Sequence, residues 1–343
     1  MSISFKEDHI SQIPALLMLE KLGYTYLTPD EALALRGGNL ANVLLEPVLR
    51  KQLAAINVVQ VSSVRTTVFS EQNITAGIDA LRNIPMDEGF MEASQTVYDL
   101  LTSGKTLEQI VDGDRKSFVM QYIDWKNPRN NVFHVTEEFA VSRTGMTETY
   151  RPDIVLFVNG IPLCVIECKR PDVKDSIEQA ISQHLRNQKA DGIRSLYLYS
   201  VLLLAVNRQE GSYATTATPE KFWARWREQF ADRESELQYR QELERVVNEP
   251  LFDDKLFGER FGYVRRNFEE LYRQPVTPSV QDEYLYNLCR PERLLQLMYG
   301  FTLYDDGIKK VARYQQYFAV RQTMQRIRGA AASSGTRRGA ASR

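Results

Sequence analysis

Three charged residues sit at the ends of the most apolar stretch of the chain. They are Asp153, Glu167 and Lys169, within RPDIVLFVNGIPLCVIECKRP, residues 151–171. Charges at the ends of buried strands are costly unless they are paired or bind an ion. Two carboxylates and a lysine in this pattern suit one chemistry well. Mg²⁺ is held by one or two carboxylates together with phosphate oxygens of the substrate. The ion polarises the phosphate and lowers the pKa of an attacking water. The lysine can orient that water or offset charge developing on phosphorus. Asp153, Glu167 and Lys169 are therefore candidates for hydrolysing a phosphodiester, with Asp153 and Glu167 as metal ligands. The plainer alternative is a salt-bridged strand end with Lys169 pairing either acid, because a bare D…ExK pattern is short and common.

The elements that must position these groups can be read from the pattern. Ile154–Val158 and Leu163–Ile166 are short apolar runs separated by Asn159-Gly160, which predicts a hairpin. Both faces are apolar, so both strands are expected centrally in a sheet. Glu167 and Lys169 share one face and Cys168 points to the other. A two-residue loop without irregularity sets Asp153 opposite Ile166, on the wrong face. A three-residue loop with a bulge pairs Val158 with Pro162 and sets Asp153 directly across from Glu167. Opposed like charges call for a cation between them, so this second register is expected. A helix follows, with Asp172 as cap, Asp175 at its third position and Gly192 beyond its end. Ile177, Ile181, Leu185 and Gln188 share one face with His184. Ser176, Ala180, Gln183 and Asn187 form the flank. His184 has no His or Cys partner at ligand spacing and reads as a half-buried structural residue rather than a base.

This stretch resembles the PD-(D/E)xK nuclease motif, in the version carried by the restriction (R) subunit of type I restriction-modification enzymes. The resemblance rests on residues 151–171, on the preceding NVFHVTEEFAV (131–141) and on KKVARYQQYFAVRQTMQRI (309–327). It covers nearly all of the chain before residue 329. It implies Asp153 and Glu167 as Mg²⁺ ligands and Lys169 as the catalytic lysine. It also implies a Gln-x-x-x-Tyr motif on the helix. Gln183 matches the glutamine, while Asn187 stands at the tyrosine position, where an amide can hydrogen-bond but cannot stack. Such folds open with a helix carrying an acid, for which Glu20 or Glu7 are candidates, a solvated helix face being the plainer reading. Gln316 matches a glutamine that reads the adenine of ATP, with Gln315 where the family often has histidine. The plainer reading is an amphipathic helix with incidental glutamines. The implied partners are DNA and the methyltransferase (M) and specificity (S) subunits.

The fold class expected is α/β, a mixed sheet flanked by helices with a restriction-endonuclease-like core, followed by a helical segment. Residues 1–247 are read as the nuclease domain and 248–328 as a helical linker leading to an ATP-driven motor. Residues 329–343 read as a disordered basic tail rich in Ala, Ser, Gly and Arg. The family would continue with a Gly-Lys-Thr/Ser phosphate loop, so the chain is expected to end short of the motor. Two other functions remain open: an inactive DNA-binding or assembly module, and a stand-alone nuclease of the same fold.

Net charge is −1 over 343 residues, so any DNA groove must come from local clustering. Cys164, Cys168 and Cys289 form no C-x-x-C pair, which fits a reduced, cytoplasmic setting without zinc. No apolar run reaches membrane-spanning length, and no membrane partner is expected. Residues 29–57 and 72–101 read as helical, and 117–142 as two strands. Tyr197–Val206 reads as a strand, Tyr213–Thr218 as a polar loop, and Pro219–Arg245 and Pro291–Tyr304 as helices. Leu101–Thr106 ends like a phosphate loop. However, Asp99 replaces the first glycine and no apolar strand precedes it, so Gly104 is read as a helix stop.

Overall fold

The computed structural model describes residues 11–340 except 62, 63 and 252, without the side chains of 259 and 329–340. A six-stranded mixed sheet forms its centre. We label these strands in chain order as β1 (Thr25–Tyr26), β2 (Phe133–Glu137), β3 (Ile154–Val158), β4 (Ile161–Cys168), β5 (Leu202–Val206) and β6 (Gly211–Ala214). Their order across the sheet is their order in the chain. β1 runs parallel to β2 and β4 parallel to β5, while the other neighbours are antiparallel. Every residue of β3, β4 and β5 is buried, as continuous Val/Ile/Leu runs require.

The β3–β4 turn is tighter than the expected three-residue loop. Val158 pairs with Ile161, leaving only Asn159 and Gly160 between the strands. Both take positive φ, 53° and 83°, the left-handed pair that Asn-Gly tolerates. The irregularity lies inside β4 instead. Phe157 pairs with Pro162 and Leu156 with Cys164, so Leu163 is the extra, bulged residue. Beyond it Ile154 pairs with Ile166, the last pair of the ladder, and the same register carried one residue further sets Asp153 across from Glu167. The expected facing pair is present, reached through a different irregularity.

Helices cover both faces. We label Ile13–Lys21 as α1, Ser176–Asn187 as α2 and Val280–Cys289 as α3. α2 lies on the Glu167 face, where Ile177, Ala180 and Ile181 pack against Ala205. Its start differs from expectation. Asp175, in a left-handed conformation at φ 52°, is the residue before the helix and makes no side-chain cap. α1 and α3 take the opposite face. The Tyr24 hydroxyl donates to the Cys289 carbonyl at 2.7 Å, and Cys164 of β4 is a hydrogen-bonding neighbour of Cys289. In α1, Pro14 sits in the first turn, where its missing N–H does no harm, and Ile13 and Ala15–Leu19 are all buried.

Several outer elements depart from the sequence reading. Phe118 belongs to a separate hairpin, Lys105–Val111 with Asp114–Met120, closed by Asp112-Gly113. Tyr197 ends a helical turn, and the strand begins only at Leu202. Tyr213 and Ala214 are not loop but lie in β6 at the sheet edge. In 219–245 the helix begins at Arg233; Ala224 instead exchanges backbone hydrogen bonds with Tyr213 like a strand residue. Pro291–Gly300 is helical, followed by a hairpin, Thr302–Asp305 with Ile308–Val311. Gly104 does terminate a helix, Phe90–Ser103. A final helix, Tyr314–Ala340, runs into the stretch whose composition reads as a tail. Residues 341–343 and the 329–340 side chains lie outside the described residues.

Candidate active site

Asp153, Glu167, Lys169 and Gln183 converge at the carboxyl end of β4. Asp153 just precedes β3 and Glu167 is its partner across the pair, so the two side chains leave the same face. The Cys168 N–H donates to Asp153 Oδ2 at 2.7 Å, and Lys169 Nζ lies 3.5 Å from that oxygen. From α2, Gln183 Nε2 donates to Glu167 Oε2 at 2.6 Å. Two side chains ahead of α1 tie down the strand ends: Ser11 Oγ donates to the Lys169 carbonyl and Gln12 Nε2 to the Asp153 carbonyl. Nothing in their sequence positions marks Ser11 and Gln12 for this work, since the contact spans more than a hundred residues.

The electrostatics set two carboxyls against one another in a buried position. Glu167 is fully buried, and its Oε1 receives no hydrogen bond from any N–H or hydroxyl. Burial pushes its carboxyl well above the usual carboxylate range, and neighbouring Asp153 pushes it further. Burial also raises Asp153, with Lys169 acting in the other direction. The two carboxyls are within hydrogen-bonding reach of one another. Two opposed acids with an orphaned oxygen fit a hard divalent cation, whose preferred donors are carboxylate oxygens. Among the described residues no cluster of three or more His, Cys, Asp or Glu side chains is placed to hold a metal. Two carboxylates alone would leave any such ion's remaining coordination positions to water or other oxygen ligands.

Behind Glu167 lies a buried polar network. His184 is fully buried rather than half-buried, with Nδ1 3.0 Å from the Tyr197 hydroxyl and Nε2 2.9 Å from the Leu204 carbonyl. The carbonyl can only accept, so Nε2 carries the proton and Nδ1 accepts from Tyr197. Burial holds the imidazole neutral, pushed down to about 4. Asn187, at the motif tyrosine position, is also fully buried, and its Oδ1 accepts from Arg186 Nη2 at 3.1 Å. Tyr197 was not a sequence candidate, because only the fold brings its helical turn against α2.

The remaining candidates lie elsewhere. Glu20 faces Asp253 and Lys255 and is not joined to Asp153 or Glu167; Glu7 lies outside the described residues. Gln316 is exposed, and its Oε1 accepts from the Arg313 N–H at 2.8 Å, capping the last helix. Among the described residues no helix is long and apolar enough to cross a membrane.

The model of the type I restriction enzyme R protein N terminus matches residues 4–222, well over half of the chain. The chain belongs to this family. Relatives of this R-protein N-terminal region carry matching names. It is 24% identical over 330 residues to the putative type I restriction enzyme MjaIXP endonuclease subunit of Methanocaldococcus jannaschii. That match covers 93% of this chain and 28% of the relative. It is 25% identical over 345 residues to the type I restriction enzyme HindI endonuclease subunit of Haemophilus influenzae, covering 97% and 28%. The putative type I restriction enzyme MjaVIIP endonuclease subunit of M. jannaschii is 28% identical over 215 residues, covering 60% of this chain and 16% of the relative. The chain thus spans little more than a quarter of the length of the first two relatives.

Proposed function

We propose that this R-protein region is a Mg²⁺-dependent DNA endonuclease domain of the PD-(D/E)xK type, acting in restriction. One observation carries the reading. Asp153 and Glu167 are forced face to face in a buried setting, with Glu167 Oε1 left without a donor. Asp153 and Glu167 would hold the ion. When bound, Mg²⁺ supplies Lewis-acid polarisation of a phosphate oxygen and lowers the pKa of an attacking water.

The chain's own groups do the rest. Gln183 holds Glu167 in one rotamer from behind. The Cys168 N–H holds Asp153 Oδ2, which fixes the pair before substrate arrives. Lys169, 13% exposed at its side chain, reaches the mouth of the site beside Asp153. From there its ammonium can orient a water toward phosphorus and offset the growing negative charge. In the whole protein we infer an ATP-driven motor that brings DNA to this site, with M and S subunits choosing the sequence, in the cytoplasm. The names of the relatives, endonuclease subunits of type I restriction enzymes, support a place in a multi-subunit restriction complex.

The test is plasmid nicking by the full chain with Mg²⁺, with EDTA as control and Lys169→Ala as the variant. Nicking that needs Mg²⁺ and is lost in Lys169→Ala supports the reading. Equal nicking by the variant contradicts it.

A further inference from the structure

Arg186 stands one turn beyond Gln183 on α2, on an exposed part of the helix. It makes no ion pair among the described residues, yet it is held in place. Its guanidinium lies over the Tyr150 ring, 4.4 Å from the centroid, and donates through Nε and Nη2 to Asn187 Oδ1 at 3.3 and 3.1 Å. Among the described residues Nη1 makes no such bond, in a fork fixed by stacking and by an amide. Arg186 also lies close enough to act on the Glu167 carboxyl through its charge. Tyr150 precedes Asp153 by three residues, so ring, arginine and metal ligands share one end of the sheet. A second guanidinium, Arg143, lies 4.7 Å from the same ring. Arg143 differs in being paired, 2.6 Å from Asp191 and 3.8 Å from Glu148.

We propose that Arg186 is a DNA phosphate-binding residue beside the metal site, and that Tyr150 is its positioning residue. A planar guanidinium held flat, with a donor to spare and no ion pair among the described residues, is suited to a phosphate oxygen. Asn187 cannot serve that purpose, because its side chain is buried. The outward contact at this turn of α2 falls to its neighbour. Arg186 grips the backbone next to the scissile phosphate, and Tyr150 keeps the fork from swinging into solvent. The proposal rests on the nuclease reading for the position of the DNA, but its measurement does not use cleavage.

The experiment is fluorescence anisotropy of a labelled duplex with the full chain in EDTA, across a salt series. Arg186→Ala should weaken binding about tenfold and make the salt slope shallower by about one. Tyr150→Phe should bind as wild type, because the ring face is kept. Tyr150→Ala should approach Arg186→Ala in affinity, and Arg186→Lys should fall between wild type and Arg186→Ala. Unchanged affinity and slope in Arg186→Ala overturn the proposal, as does a wild-type chain that does not bind duplex. If Arg186→Ala lowers the slope while Asp153→Ala still nicks plasmid, the phosphate site stands and the metal-site reading fails.

Discussion

Asp153 faces Glu167 because one residue between the turn and Glu167, Leu163, has no partner across the hairpin. Without that bulge the two-residue turn would set Asp153 against Ile166 and send the two acids to opposite faces. The turn itself admits little variation. Gly160 has φ 83°, and a Cβ there would lie 2.6 Å from the Leu45 carbonyl oxygen. Gly160→Ala should therefore cost about 2 kcal/mol or more, from left-handed strain plus the clash. A lowered urea midpoint would show it, and an unchanged midpoint would mean the turn can rearrange.

Gln183 acts on the site through Glu167. Gln183→Ala removes the 2.6 Å hydrogen bond to Oε2. We expect metal affinity to fall roughly 10- to 100-fold, the usual effect of losing a partner that orients a ligand. Gln183→Glu also loses that hydrogen bond, because a carboxylate cannot donate to Glu167 Oε2. Isothermal titration with Mn²⁺ compares the three proteins. Equal affinities would remove Gln183 from the site.

His184 is a neutral strut, with a pKa near 4 in place of the usual 6.5. The folded state thus binds fewer protons than the unfolded state between those values. Its contribution to stability is present above about 6.5 and is lost as pH falls toward 4. His184→Phe should flatten that part of the pH–stability curve. It should also lower stability by about 2 kcal/mol through two lost hydrogen bonds. The pH dependence of nicking between 6 and 8 should keep its shape, whereas a changed profile would make His184 a base after all.

Two other buried groups should tilt stability in opposite directions. Burial and neighbouring Asp253 raise Glu20 to about 8. Its stabilising contribution is present below about 4.5 and is lost as pH rises through 8. Burial lowers Lys309 to about 7, where Nζ donates to the Ser200 carbonyl and Ser94 Oγ. For Lys309 the folded form binds fewer protons, so stability rises with pH from about 7 toward 10.5. Thermal melts of Glu20→Gln and Lys309→Met should each lose their own slope. Retention of both slopes would place the titrations elsewhere.

Much of this was legible because strand chemistry is local. Alternation put Glu167 and Lys169 on one face, and Asn-Gly marked the hairpin. The like-charge argument then selected the register even though the bulge was misplaced. Helical spacing grouped Gln183 with its flank, and the family resemblance singled it out. What escaped the sequence depends on contacts far apart in the chain. Tyr150 and Arg186 meet only after α2 folds back on the sheet. Ala224 looks helical in a Trp-rich run, but Tyr213 takes both its backbone hydrogen bonds and makes it extended. Phe118 reads as a sheet strand, but Asp112-Gly113 closes it into its own hairpin.

The central claim is that Asp153 and Glu167 form one ion site, and metal titration tests it most directly. Calorimetry of the full chain with Mg²⁺ and Mn²⁺ should show binding that is lost in both Asp153→Ala and Glu167→Ala, with both variants still folded by circular dichroism. No binding by the wild type, or equal binding by either variant, would contradict the account and leave the two acids as a structural pair.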